Sequence, residues 1–291
     1  MSKRRKAATG TRTRERVKDV FVARPFAGLV DEPEWIALRE LVPAASAPLR
    51  LAPDLVERFG EREVTLATVL PMAMPAMTKP DGRVFLGLQR HVQSGDVSRD
   101  LSAALLRALE VEPGEQVTVP GLPGAGPRLQ DVLVDGPLEI TMQEGFDFWL
   151  DEGATDDPNV QSSLERANAS IYPTVRMGAA RAAYWCRVPD KAHVRWVLSE
   201  DEEPALDALA RLSAAGALPL GEGTRFAGMF RAHGLLVPVW DLPRDPEAAE
   251  WEAPLADLAK RFGEAVAGAE PLSAAERRAR QGLLGRQITL R

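Results

Sequence analysis

An α+β fold is predicted by three observations. Two segments read as β-hairpins around Pro-Asp turns, at Pro80-Asp81-Gly82 and at Pro189-Asp190-Lys191. Each is followed by a capped Leu/Ala-rich helix, and the order turn, strand, helix occurs once in each half of the chain. Hairpins interleaved with amphipathic helices pack as mixed α+β layers. The expected organisation is a disordered basic arm at 1–24, an N-terminal α+β lobe at 25–150 and a C-terminal α+β lobe at 151–291. The repeated order is consistent with an internal duplication, and equally with the commonness of hairpin-plus-helix units.

Each element has its own warrant. Trp35, Leu38, Leu41 and Val42 recur at helical spacing, and Pro33 suits a first helical turn. Glu63–Leu70 alternates and is β-branched, which predicts a strand. The stretch after Pro71 forms the first hairpin about Pro80-Asp81-Gly82. Ser98 is expected to cap a helix whose stripe is Leu101, Ala104, Leu105, Ala108 and Leu109. Residues 112–127, dense in Gly and Pro, predict a loop around one short strand, and Leu138–Met142 is strand-like. After the acidic connector 151–158, Asp157 caps a helix reaching about Ala169.

The second hairpin pairs Ala182–Val188 with His193–Leu198. Ser199 and Glu202 match a capping box ahead of Leu206, Leu209, Ala210 and Leu212. Thr224–Asp241 admits two readings. As a helix it places Phe226, Met229, Phe230 and His233 on one face. As a hairpin it alternates Phe226, Gly228 and Phe230, turns at His233-Gly234 with His233 exposed, and returns through Leu235–Trp240. Gly228 and the extended Val-Pro-Val-Trp run favour the hairpin. A helix over Trp251–Ala267, a capping box at Ser273/Glu276 and a last strand at Gln287–Leu290 complete the chain.

Charge is unevenly distributed. Residues 1–24 carry nine Lys or Arg against Glu15 and Asp19, a net of +7, while the whole chain is −6, leaving −13 on the rest. A basic leader on an acidic body points to an anionic partner, whereas a phosphate-binding groove spread over the body would be repelled. Residues 1–20 lack apolar periodicity and are expected to be disordered alone. The leader is either a solubilising tail or an arm that neutralises RNA or DNA phosphates through Lys3, Arg4, Arg5, Lys6, Arg12 and Arg14. The thirty arginines against six lysines fit a GC-rich genome better than thirty phosphate contacts.

One cysteine, Cys186, excludes an intrachain disulfide and a Cys-based zinc site. No apolar run reaches the roughly 18 residues of a membrane span, and no apolar h-region follows the basic start. A soluble cytoplasmic protein is expected. No GxxxxGK[ST], GxSxG or HExxH occurs, so neither a nucleotide motor nor a serine or zinc hydrolase is indicated, and no cofactor is expected.

Remaining candidates are weighed by packing. Cys186 between Trp185 and Arg187 reads as a buried structural thiol rather than a nucleophile. Met72-Ala-Met74-Pro-Ala-Met77 reads as gap-filling core rather than a thioether copper site. Pairing Val188 with His193 puts Trp185, Arg187, Val194 and Trp196 on one sheet face. That face is either an Arg–Trp binding surface, with Arg187 and Trp196 as its residues, or a surface buried beneath the following helix. The run Glu200-Asp201-Glu202-Glu203 is explained by the favourable placement of carboxylates at a helix start.

Several longer segments carry a resemblance: ARPFAGL (23–29), ALRELVPAASAPL (37–49), TLATVLP (65–71), EGFDFW (144–149), SLERANASI (163–171), AYWCRV (183–188), LPLGEGTRF (218–226), FRAHGLLVPVWDLP (230–243) and ERRAR…RQITLR (276–291). In this order they resemble a family of uncharacterised actinobacterial proteins, over essentially everything after the arm. The resemblance carries no activity and no catalytic residue. Some members bear names such as preprotein translocase or topoisomerase. This chain lacks the P-loop of a translocase motor, and neither Tyr172 nor Tyr184 has a nucleophilic context.

The functional expectation is a non-enzymatic cytoplasmic binding or accessory protein, contacting RNA, DNA or a ribosomal surface through residues 3–18. The competing expectation is a small-molecule enzyme with a site between the lobes, using Arg231, His233, Asp241 or Cys186. A third is an accessory partner of the export machinery.

Overall fold

A computed structural model describes residues 18–91, 93–119, 121–150 and 157–286. The arm residues 1–17, most of the acidic connector and the strand expected at Gln287–Leu290 lie outside the described residues.

Among the described residues the architecture is α+β, with two five-stranded sheets. In the first half the order in the chain is α1 (Glu32–Glu40), β1 (Ala45–Leu49), α2 (Pro53–Phe59), β2 (Val64–Val69), β3 (Ala76–Thr78), β4 (Val84–Gln89), α3 (Val97–Glu110), α4 (Leu129–Val132) and β5 (Thr141–Met142). In the second half follow α5 (Pro158–Asn168), β6 (Thr174–Arg176), β7 (Ala183–Arg187), β8 (Ala192–Trp196), α6 (Glu202–Ala214), β9 (Arg225–Ala232), β10 (Leu235–Leu242), α7 (Glu252–Ala267) and α8 (Ala274–Leu284).

The first sheet is ordered β3-β4-β2-β1-β5 and is mixed, because β2 runs parallel to β4. The second, ordered β6-β7-β8-β10-β9, is antiparallel throughout. The units β3-β4-α3 and β7-β8-α6 do share the expected hairpin-then-helix order. Their surroundings differ: β4 next pairs with a strand that precedes it, β8 with one that follows. Related topology therefore stops at the local unit.

Packing follows the strand period. Val84, Leu86 and Leu88 of β4 enter one core cluster, whereas Phe85 turns to a smaller cluster with Ala67 and Leu70. The larger cluster also takes Trp35, Ile36, Ala37 and Leu38 of α1, and Tyr184, Phe230, Val237 and Val239 of the second sheet. One apolar core thus contains residues from both halves. The opposite face of the second sheet, through Trp185, Val194 and Trp240, packs with Leu206, Leu209, Leu255 and Phe262 of α6 and α7.

Several expectations are corrected. Asp96, not Ser98, caps α3, its carboxylate accepting from the Arg99 amide at 3.3 Å. Ser98 is buried and instead bonds Gln130 and the Leu129 amide. At α6 the N-cap is Asp201, without a side-chain cap, because the Glu202 carboxylate goes to Arg231 and Ser199 bonds Glu200. No strand occurs in the described residues of 112–127, where Val117 and Val119 pack singly onto the core. Leu138 cannot extend β5, since its amide donates to the buried Asp31 carboxylate at 2.6 Å. Met74 and Met77 fill space beside Phe85, but Met72 is 81% exposed.

Residues 224–241 form a hairpin. His233 and Gly234 both have positive φ, 47° and 88°, as a two-residue turn matched to strand twist requires. A bulge at Ala227 lies between the pairs Phe226↔Trp240 and Gly228↔Val239. It moves Phe226 to the helix-covered face, edge-to-face with Trp240, while Phe230 joins the other core. The expected common face of Phe226 and Phe230 is thereby broken.

Candidate functional site

Of the arm, the described part begins at Lys18, and it lies against the body. Asp19 accepts from the Gly95 amide at 2.6 Å, and the Val22 amide donates to the Gly95 carbonyl at 2.8 Å. A Cβ on Gly95 would come within 2.7 Å of Phe21 Cα and 2.8 Å of the Val20 carbonyl, so only glycine lets this strap cross. Arg24 then forks onto Glu32 at 2.6 and 2.9 Å and reaches Asp201 of the second half at 2.5 Å. The arm's root is fixed at residues 19–24. Lys3, Arg4, Arg5, Lys6, Arg12 and Arg14 lie outside the described residues.

Around Arg24 the halves are joined by charges that α1 buries. Asp31 and Glu34 have no exposed surface. Glu34 accepts from Arg176 at 2.7 and 3.1 Å, from the Tyr184 hydroxyl at 2.7 Å and from the Ala182 amide at 3.2 Å. Arg181 holds Asp31. Burial, then the charge of Glu34, pushes the Tyr184 hydroxyl far up, so it remains a donor. Every oxygen of Glu34 is answered, the condition under which a buried carboxylate is tolerated. This arrangement ties α1 to the second sheet.

The sequence-predicted binding residues are engaged in the same manner. Arg187 lies over the Trp185 ring, 4.9 Å from its centroid, and pairs with Glu247 at 2.8 Å. The indole of Trp196 donates to the Arg181 carbonyl and meets Phe262 of α7 edge-on. Trp185, Arg187, Val194 and Trp196 do share one sheet face, but the register is Cys186↔His193 rather than Val188↔His193. A slip of two residues preserves faces, which is why the expectation survives the wrong pairing. That face is covered by α6 and α7.

Arg231 forks onto Glu202 at 2.5 and 2.8 Å. His233, expected to be exposed, is half-buried: its Nε2 lies 2.9 Å from Glu40, and its ring stands edge-on to the buried Phe26. The acidic run ahead of α6 is likewise answered, Asp201 by Arg24, Glu202 by Arg231 and Glu203 by Arg280.

Arg231 and His233 sit at the turn of the β9–β10 hairpin, whereas Asp241 lies seven residues beyond Gly234 on β10. At about 3.3 Å per residue this puts His233 roughly 23 Å from Asp241, and Arg231, paired with Leu236, roughly 17 Å from it along the strands. The set Arg231, His233, Asp241 and Cys186 therefore does not form one site. A different trio is in register: Cys186, His193 and Asp241 are successive partners across β7, β8 and β10. His193 Nδ1 is 3.1 Å from Asp241, off the angle of a good hydrogen bond, and Lys191 and Arg225 also hold that carboxylate. Burial, helped by Arg195, pushes His193 down. Cys186 is 4% exposed, and burial pushes its thiol up. Among the described residues no hydrogen bond joins the thiol to His193. A nucleophilic cysteine needs the opposite setting, an accessible thiolate favoured by nearby positive charge.

Among the described residues no group of three or more His, Cys, Asp or Glu is placed to hold a metal ion, and no helix is long and apolar enough to cross a membrane. Comparison with curated proteins and with solved structures finds no match. Residues 25–291, everything beyond the basic leader, match a family of unknown function, and the chain belongs to that family, DUF5926.

Proposed function

We propose that this chain is a non-enzymatic binding or accessory protein of the cytoplasm, which contacts a polyanion (RNA, DNA or a ribosomal surface) through its basic leader. The reading is carried by charge segregation: a net +7 in residues 1–24 against −13 on the remainder. Two features of the body support it. Arg176, Arg181, Arg231 and Arg280 of the body are each engaged with a carboxylate, so these arginines tie elements of the body together. The match to the family begins at residue 25, directly after the leader.

The test is the salt dependence of binding to single-stranded RNA. Residues 1–17 hold seven Lys or Arg and one Glu. Engagement of about six phosphates gives a slope of log K against log salt near −4. A slope near zero with the intact chain contradicts the proposal.

A further inference from the structure

A cavity of about 600 Å³ opens beside the strap, between residues 18–22, the start of α3 and the loop 122–128. Its volume lies in the range of small-molecule sites, about 300–1,000 Å³. Val22, Leu122 and Pro123 supply apolar wall, and Lys18, Arg99 and Arg128 supply positive charge. Two carboxylates also line it, Asp19 and Asp96, and both are already engaged. Asp19 accepts from Gly95. Asp96 caps α3, accepts from Arg99 Nε at 3.1 Å and lies 3.5 Å from Arg128 Nε. One carboxylate thus aligns two guanidiniums, and three cations face two anions.

Backbone carbonyls fix the same arginines further. Arg99 donates to Gly126, and Arg128 donates to Pro25 at 2.9 Å. Preorganised guanidiniums with N–H groups to spare favour a phosphate oxygen over a neutral acceptor. An apolar wall alongside favours a ligand with a carbon body over a bare ion.

We infer that this cavity, which the root of the leader at residues 18–22 helps to wall, binds a small phosphate monoester with an apolar body, a function distinct from polyanion binding through residues 1–17. The ester's dianionic head meets Arg99, Arg128 and Lys18, and its body lies on Val22, Leu122 and Pro123. No bond is made or broken. The site does not depend on residues 1–17.

Isothermal titration calorimetry of the full chain with phenyl phosphate, inorganic phosphate and phenol tests this. Phenyl phosphate is expected to saturate one site per chain, at least about tenfold tighter than either half of it alone, a difference of about 1.4 kcal/mol. Leu122→Glu, at a position 37% exposed and so tolerant of charge, should weaken it at least about tenfold, as should Arg128→Met. A chain lacking residues 1–17 should bind it unchanged. Absence of saturable binding, equal affinity in Leu122→Glu, or loss on removing residues 1–17 overturns the inference. Heparin retention of Leu122→Glu is expected to match the intact chain, so failure here is distinguishable from failure of the leader reading.

Discussion

Glu34 shows how much of this protein is decided by single charged residues. Flanked by Pro33 and Trp35 in an ordinary-looking helix, it is wholly buried and answered by partners 142 to 150 positions away. Glu34→Ala removes the carboxylate that Arg176 and Tyr184 share and orphans a buried hydroxyl. It should cost about 3–5 kcal/mol, read as a lower urea midpoint with unchanged slope. Glu40 carries a pH signature. Burial pushes its carboxyl up, but the hydrogen bond and charge of His233, with Arg39, outweigh this and hold it below the ordinary 4.5. A depressed carboxyl contributes stability that is present above about pH 4.5 and is lost as pH falls through the lowered value. The melting temperature gap between the protein and Glu40→Gln should therefore close as the pH falls through the lowered value. Cys186 should resist alkylation in the native protein and react fully once unfolded, since burial both hides the thiol and disfavours the thiolate.

At the scale of elements, local chemistry was readable and distant chemistry was not. Both hairpins, α1, α3, α5, α6, α7 and the Ser273/Glu276 box are visible because turns, caps and periods are written within a few residues. The missed elements lack such marks. In β1, Ser46 and Pro48 interrupt the apolar pattern. Pro48 is tolerated because the two-residue β5 pairs only Ala45 and Ser46, leaving β1 an edge beyond them. α2 and α4 are too short for a period, and the caps of α3 and α6 went to aspartates that neighbouring sequence does not single out. The buried charges of the candidate site were illegible for a related reason: their partners lie in the other half. Gly234 tests the element-scale account. With φ of 88° and a would-be Cβ 3.0 Å from Arg24 Cβ, Gly234→Ala should cost at least about 1 kcal/mol by strain and by lifting the turn from the arm's root. Differential scanning calorimetry reads that as a lower melting temperature.

For the whole molecule, the larger apolar core and the Asp31–Glu34 ion pairs bind the first sheet and α1 to the second sheet. Such a body has little reason to respond to the leader, whose root at residues 19–24 is held by Gly95, Glu32 and Asp201. Function and stability should therefore separate cleanly at residue 18. The direct measurement is paired: thermal melting and heparin-column elution of the intact chain and of a chain lacking residues 1–17. The two chains should melt within about 2 °C of each other, since surface changes away from packing stay within about 0.5 kcal/mol. The intact chain should be retained at low salt and the shortened one should pass unretained. Equal retention of the two would contradict this separation, as would a large loss of melting temperature on removing the leader.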